Sequence, residues 1–233
     1  MIHETYRVDA TTSFGIDIAP APADGRKYPV VVLVHGNFGL RDPYGDQLRN
    51  FTDEIAELGY LAALPTYFPS GFANPEDVNI DAHSPALVAA IDHLSRRADA
   101  DVTRLGLVGF SLGGGIALSY IQRASIGSVK AFADFYGLVG PKLSAGVAKV
   151  PPTIIFSNEH DPFVPVAQNS GPFADALARA HIEHEPIAPY AWAHDDWIGG
   201  GVHAFRPGGP DDVSSRDRTK KWLVKHMPPV GLP

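Results

Sequence analysis

Apolar positions along this chain alternate between two periods. Pro29–His35 (PVVVLVH) is an unbroken, β-branched run, as a strand covered on both faces of a parallel sheet would read. Leu48, Phe51, Ile55 and Leu58 recur at spacings of three and four, which predicts an amphipathic helix over 44–58 ended by Gly59. The same reading predicts strands at 3–8 and 12–18 (a terminal hairpin), 60–64, 129–136, 152–157 and 182–190. It predicts helices after Ser84-Pro85, read as an N-cap followed by proline at the first helical position, at 173–180, and at about 213–226 with Asp211 or Asp212 as cap. Residues 65–83 read as one long irregular segment, a length that often forms a pocket rim. Strands alternating with helices predict an α/β architecture: a mostly parallel sheet with helices on both faces and reactive groups at the carboxyl ends of the strands.

The stretch Arg104–Tyr120, RLGLVGFSLGGGIALSY, reads as strand, sharp turn and helix. Leu105, Leu107 and Val108 supply the strand; Ile116, Ala117, Leu118 and Tyr120 suit a helix packed on a sheet. Between them Gly109-Phe110-Ser111-Leu112-Gly113 spells G-x-S-x-G, the pattern of a nucleophile held on a strained turn above a sheet. Side chains at Gly109 and Gly113 would collide with the crossing strand and helix.

A serine hydroxyl is a poor nucleophile until a base takes its proton and an acid orients that base. Downstream of Ser111, Asp161 lies in SNEHDPFVP just past the predicted strand 152–157, where a turn aims its carboxylate across the sheet. Asp134 and the pair Asp195-Asp196 are the rival acids. His203, in GGGVHAF between the last strand and last helix, is the candidate base; the glycines before it let the loop bend over the sheet. His35 ends a buried strand and reads as a structural neighbour of the turn. Oxyanion donors are expected from the backbone N–H of Leu112 and of Asn37, the latter in the loop after the 29–35 strand. Phe38, Tyr67, Phe68, Phe110, Trp192 and Trp197 fall near this site and predict a partly apolar pocket.

Composition narrows the class further. The 233 residues fit one domain, 1–233, with 228–233 as a flexible tail. A formal net charge of −7 argues against nucleic-acid or anionic-membrane partners. The absence of cysteine excludes disulfides, thiolate catalysis and cysteine zinc sites. Clusters such as HIEHE read as solvated surface, so neither a metal nor another cofactor is expected. The N-terminal residues lack a basic and an apolar signal region and no apolar run is long enough to span a membrane, which makes the cytoplasm the expected compartment.

VVLVHGNFGL, GFSLGGG, NEHDPFVP and VHAF together resemble the dienelactone hydrolase family of α/β-hydrolases, in order and spacing from residue 29 to about 226. The resemblance implies an α/β-hydrolase fold without a large cap domain and a triad of Ser111, Asp161 and His203. Two features depart from it. The family's best-known members carry a cysteine nucleophile where this chain has Ser111, and a glutamate tied to thiolate activation where it has Gly36. The changes agree, since without a thiolate that acid has no task. Arginines that would hold a substrate carboxylate are matched only by Arg206, and PTYFPS (Pro65–Ser70) offers none. Phe38, Tyr67, Trp192 and Arg206 are therefore the substrate-binding expectations. The expected activity is hydrolysis of small-molecule carboxylic esters, lactones included, through an acyl-enzyme. A thioesterase or amidase with the same triad and a non-catalytic ligand-binding protein are the alternatives. Monomer and homodimer are both compatible with the sequence.

Overall fold

The described residues of the computed structural model are 1–68, 79–158, 160–185 and 203–231. Strands β1 (Ile2–Arg7) and β2 (Ser13–Ala19) form an antiparallel hairpin. They are followed by β3 (Tyr28–Val34), β4 (Leu61–Pro65), β5 (Ala100–Phe110), β6 (Val129–Phe135) and β7 (Thr153–Phe156). The sheet order is β1-β2-β4-β3-β5-β6-β7, with β2 antiparallel to β4 and every pairing from β4 to β7 parallel. Helices α1 (Tyr44–Glu57), α2 (Ile80–Ser95), α3 (Leu112–Arg123), α4 (Gly140–Ser144), α5 (Ser170–Arg179) and α6 (Pro210–His226) complete the described elements, with short 3₁₀ turns at 147–149 and 166–168.

The central strand shows why its sequence is uniformly apolar. Every residue of β3 is buried. Val30, Val32 and Val34 face one core with α2, α3 and α5, whereas Val31 and Leu33 face the other with α1 and α6. With both faces covered, alternation of polar and apolar residues disappears. From β3 the chain moves to β4 on one side and then to β5 on the other. The carboxyl ends of β3 and β5 therefore flank a crevice at the point where strand order reverses.

Several local expectations are corrected. Helix α2 begins at Ile80, capped by Asn79, whose side chain accepts from the Ala82 N–H. Ser84 and Pro85 lie inside it. The Ser84 hydroxyl donates to the Ile80 carbonyl (2.8 Å) and can accept from the Ser119 hydroxyl on α3 (3.1 Å), so it serves helix packing and not a cap. Helix α6 starts at Pro210 behind Gly209, with no side-chain cap. Asp212 is unavailable for that task because it accepts from the Gly208 N–H (2.8 Å) and from Gln47 Nε2 (2.8 Å). Helix α5 starts three residues earlier than expected, at Ser170. Of the strand expected at 182–190, residues 182–185 make one bridge, Thr153 to His184, and the rest lies outside the described residues, as does Gly199–Gly201. The tail is not frayed throughout: Pro229 is buried, Val230 packs against the core, and the Met227 carbonyl accepts from Tyr60 Oη (2.8 Å). No described helix is long and apolar enough to cross a membrane.

Candidate active site

Ser111 sits between the end of β5 and the start of α3 with φ 54° and ψ −119°, a strained conformation for a residue with a side chain. Its backbone is pinned from two sides. The Ser111 N–H donates to the Phe135 carbonyl at the end of β6 (2.9 Å), and its carbonyl accepts from Leu138 N–H (2.8 Å) and Gly114 N–H (3.0 Å). The flanking glycines are required by close approach. A Cβ at Gly113 would run into the Val34 and His35 carbonyl oxygens, and one at Gly109 would lie 2.6 Å from the Gly114 Cα. Gly36, on the loop after β3, is less tightly held: a methyl there would come within 3.2 Å of the Ser111 Cβ, a contact that a shift of a few tenths of an ångström would relieve.

His203 and Asp161 reach this point from two further loops. His203 Nδ1 donates to Asp161 Oδ2 (2.6 Å), which leaves Nε2 to accept the Ser111 hydroxyl (2.9 Å). Asp161 is 4% and His203 6% exposed. The other carboxylate oxygen, Asp161 Oδ1, accepts the Phe163 and Val164 N–H groups, both at 2.8 Å, so the turn after β7 fixes the acid's direction. Tyr136 packs edge-on against the His203 ring at 5.0 Å, and Phe163 does so at 5.7 Å. Beyond His203 the chain is anchored by Asp212, which ties Gly208 and Gln47 of α1 together and pairs with Arg216 (3.1 Å).

Asp134, the rival acid, lies elsewhere. On β6 its side chain alternates to the α3 face, where it is fully buried against Gly114 and Gly137. The Gly137 backbone N–H is the polar group set against its carboxyl, without forming a well-aligned hydrogen bond. Burial pushes its pKa up to about 8. Asp195 and Asp196 fall outside the described residues.

A cavity of about 410 Å³ opens over the triad. Ser111, His203, Asn37 and Leu112 all line it. The Leu112 N–H is the first of α3 and has no carbonyl within the helix to bond, so it is a donor set beside the nucleophile. Phe38 and Phe110 also line the cavity. The sequence reading missed Tyr44, Gln47 and Leu48 of α1, together with Tyr136, Leu138 and Phe163. Phe163 could have been found from its place two residues after Asp161; the α1 residues are brought in only by the tertiary fold.

Two substrate-binding expectations are overturned. Tyr67 does not line the cavity: it is 3% exposed, stacks on the buried His35 ring at 4.0 Å and donates its hydroxyl to the His35 carbonyl. The end of β4 turns it toward the core behind the loop. Arg206 is exposed and also absent from the cavity wall, because a turn closed by Gly209 N–H on the Arg206 carbonyl (2.8 Å) leads the chain away into α6. Trp192 lies outside the described residues. No group of three or more metal-ligating side chains is assembled among the described residues.

The chain is 26% identical over 184 residues to a candidate carboxymethylenebutenolidase of Synechocystis sp., covering 68% of this chain and 72% of that protein. Among solved structures, an esterase of Thermogutta terrifontis phosphorylated by paraoxon superposes with a TM-score of 0.75 at 18% identity, over 99% of this chain and 96% of that one. A dienelactone hydrolase of Anabaena variabilis gives 0.69 at 17% identity, over 97% of each chain. At such identities these two matches speak for the shared fold, a mostly parallel sheet with helices as in α/β-hydrolases. The model of the dienelactone hydrolase family matches residues 17–205, most of the sequence, and the chain belongs to that family.

Proposed function

We propose that the protein hydrolyses carboxylic esters through an acyl-enzyme on Ser111. The observation that carries this reading is the continuous relay from Asp161 through His203 to Ser111, at 2.6 and 2.9 Å, opening into a cavity that also presents Leu112 and Asn37. Family membership supports action on esters or lactones. Ser111 Oγ attacks the carbonyl carbon as His203 Nε2 takes its proton, and Asp161 stabilises the imidazolium that results. Negative charge on the carbonyl oxygen is met by the N–H groups of Leu112 and Asn37. His203 then protonates the departing alcohol, takes a proton from water, and so releases the acid from the serine.

A two-step reaction leaves a kinetic signature. With a p-nitrophenyl ester under pre-steady-state conditions, a burst of nitrophenol close to one equivalent per protein is expected, because acylation outpaces hydrolysis of the acyl-enzyme. Rates on matched ester, thioester and amide substrates should fall in that order. Turnover of none of the three, or a clear preference for the amide, would overturn the assignment.

A further inference from the structure

The cavity over Ser111 has a charge character that narrows the esters it accepts. No Asp, Glu, Lys or Arg lines it among the described residues. Its mouth is aromatic on both sides of the nucleophile. Phe38 is 38% exposed and stacks on Tyr44 at 6.2 Å, and Phe163 is 59% exposed and stands edge-on to His203. Of the polar side chains present, Ser111 is engaged with His203 and the Gln47 amide with Asp212 Oδ1 and the Phe205 carbonyl, while Asn37 contributes an uncharged amide whose oxygen has no hydrogen-bond partner among the described residues. The charged group next to this machinery is an anion, Asp161, directly behind His203.

Arg41 and Arg206, the two arginines adjacent in sequence to site loops, are exposed and do not line the cavity. The stretches 69–78 (PSGFANPEDV) and 186–202 (PIAPYAWAHDDWIGGGV) contain Glu76, Asp77, Asp195 and Asp196 and no Lys or Arg, so neither carries a permanent cation, and their single histidine is His194. A carboxylate entering this cavity would give up its water without a counter-ion, which is strongly unfavourable. An uncharged apolar group would instead gain by burial against Phe38 and Phe163.

Resting on the ester-hydrolase reading above, we infer that the site selects uncharged esters bearing an apolar group beside the carbonyl and rejects esters that carry a carboxylate there. The test is a matched pair, p-nitrophenyl methyl succinate and p-nitrophenyl hydrogen succinate, which share a skeleton and differ in one negative charge. At pH 7.5 the methyl ester is expected to have a kcat/KM about 50- to 100-fold higher. The difference should persist at 0.5 M NaCl, because it arises from desolvation inside the cavity and not from long-range repulsion. Phe38→Arg places a cation at the cavity mouth and is expected to narrow the ratio about tenfold or more, an internal comparison that does not depend on the variant's absolute rate. Equal kcat/KM values for the two succinates, or a preference for the acid, would overturn the charge selection while leaving the ester-hydrolase reading intact. No turnover of either ester, together with no fluorophosphonate adduct at Ser111, would remove the reading itself and the charge selection with it.

Discussion

Replacing Ser111 by Ala is expected to lower kcat on a short-chain ester by about 10⁴- to 10⁶-fold, and His203→Ala by a similar factor. The two losses should not multiply in the double variant, because nucleophile and base act as one unit. Geometry makes the effect this large. His203 Nε2 stands 2.9 Å from the Ser111 hydroxyl, its other nitrogen is committed to Asp161, and among the described residues no other base bonds that hydroxyl. Asp161→Asn is expected to cost somewhat less, because the oxyanion donors and the nucleophile remain and the imidazole loses chiefly its tautomer and orientation. The carboxamide can still accept the Phe163 and Val164 N–H groups, so the turn itself should survive. Steady-state kinetics on the wild type and the four variants, with circular dichroism to verify folding, checks all of these factors.

Asp134→Asn is expected to stabilise the protein relative to wild type, by a margin that grows with pH. The wild-type carboxyl is fully buried, burial raises its pKa from 3.8 to about 8, and the Gly137 backbone N–H offsets this only in part. The folded state therefore holds this proton up to about pH 8, whereas the unfolded chain releases it near pH 3.8. The group's contribution to stability is fully present below pH 3.8 and is lost as pH rises to about 8. An amide does not titrate in this range, so the variant escapes the loss. Between pH 5 and 8.5 the difference should change by on the order of 4 kcal/mol, or roughly 8–16 °C in relative Tm for a chain of this size. Paired thermal melts across that range measure it. A Tm difference that stays flat with pH would show that Asp134 ionises normally in the folded state.

The parts of this molecule legible in its sequence are those fixed by local constraint. The β3 run reads correctly because seven consecutive buried positions leave no room for polar residues. The turn at Ser111 reads correctly because Gly109 and Gly113 face backbone that tolerates no side chain. Asp161 and Asp134 are less easily told apart in the sequence, since both lie near the carboxyl ends of neighbouring strands. The deciding fact is strand alternation: Asp134 is still inside β6 and points under α3, whereas Asp161 is beyond β7 in a turn whose N–H groups aim it at His203. Ser84-Pro85 imitated a helix start because serine before proline has that signature, yet here the hydroxyl bridges α2 to α3. The cavity wall from α1 and the inward turn of Tyr67 depend on how helix, loop and sheet meet, which no local spacing records.

The account stands on an activated serine at position 111. Intact-mass measurement before and after exposure to a fluorophosphonate probe, on wild type and Ser111→Ala, addresses this directly. A single covalent adduct on the wild type and none on the variant is the expected result. An unmodified wild type that is folded by circular dichroism, or an adduct that persists in the variant, would contradict it.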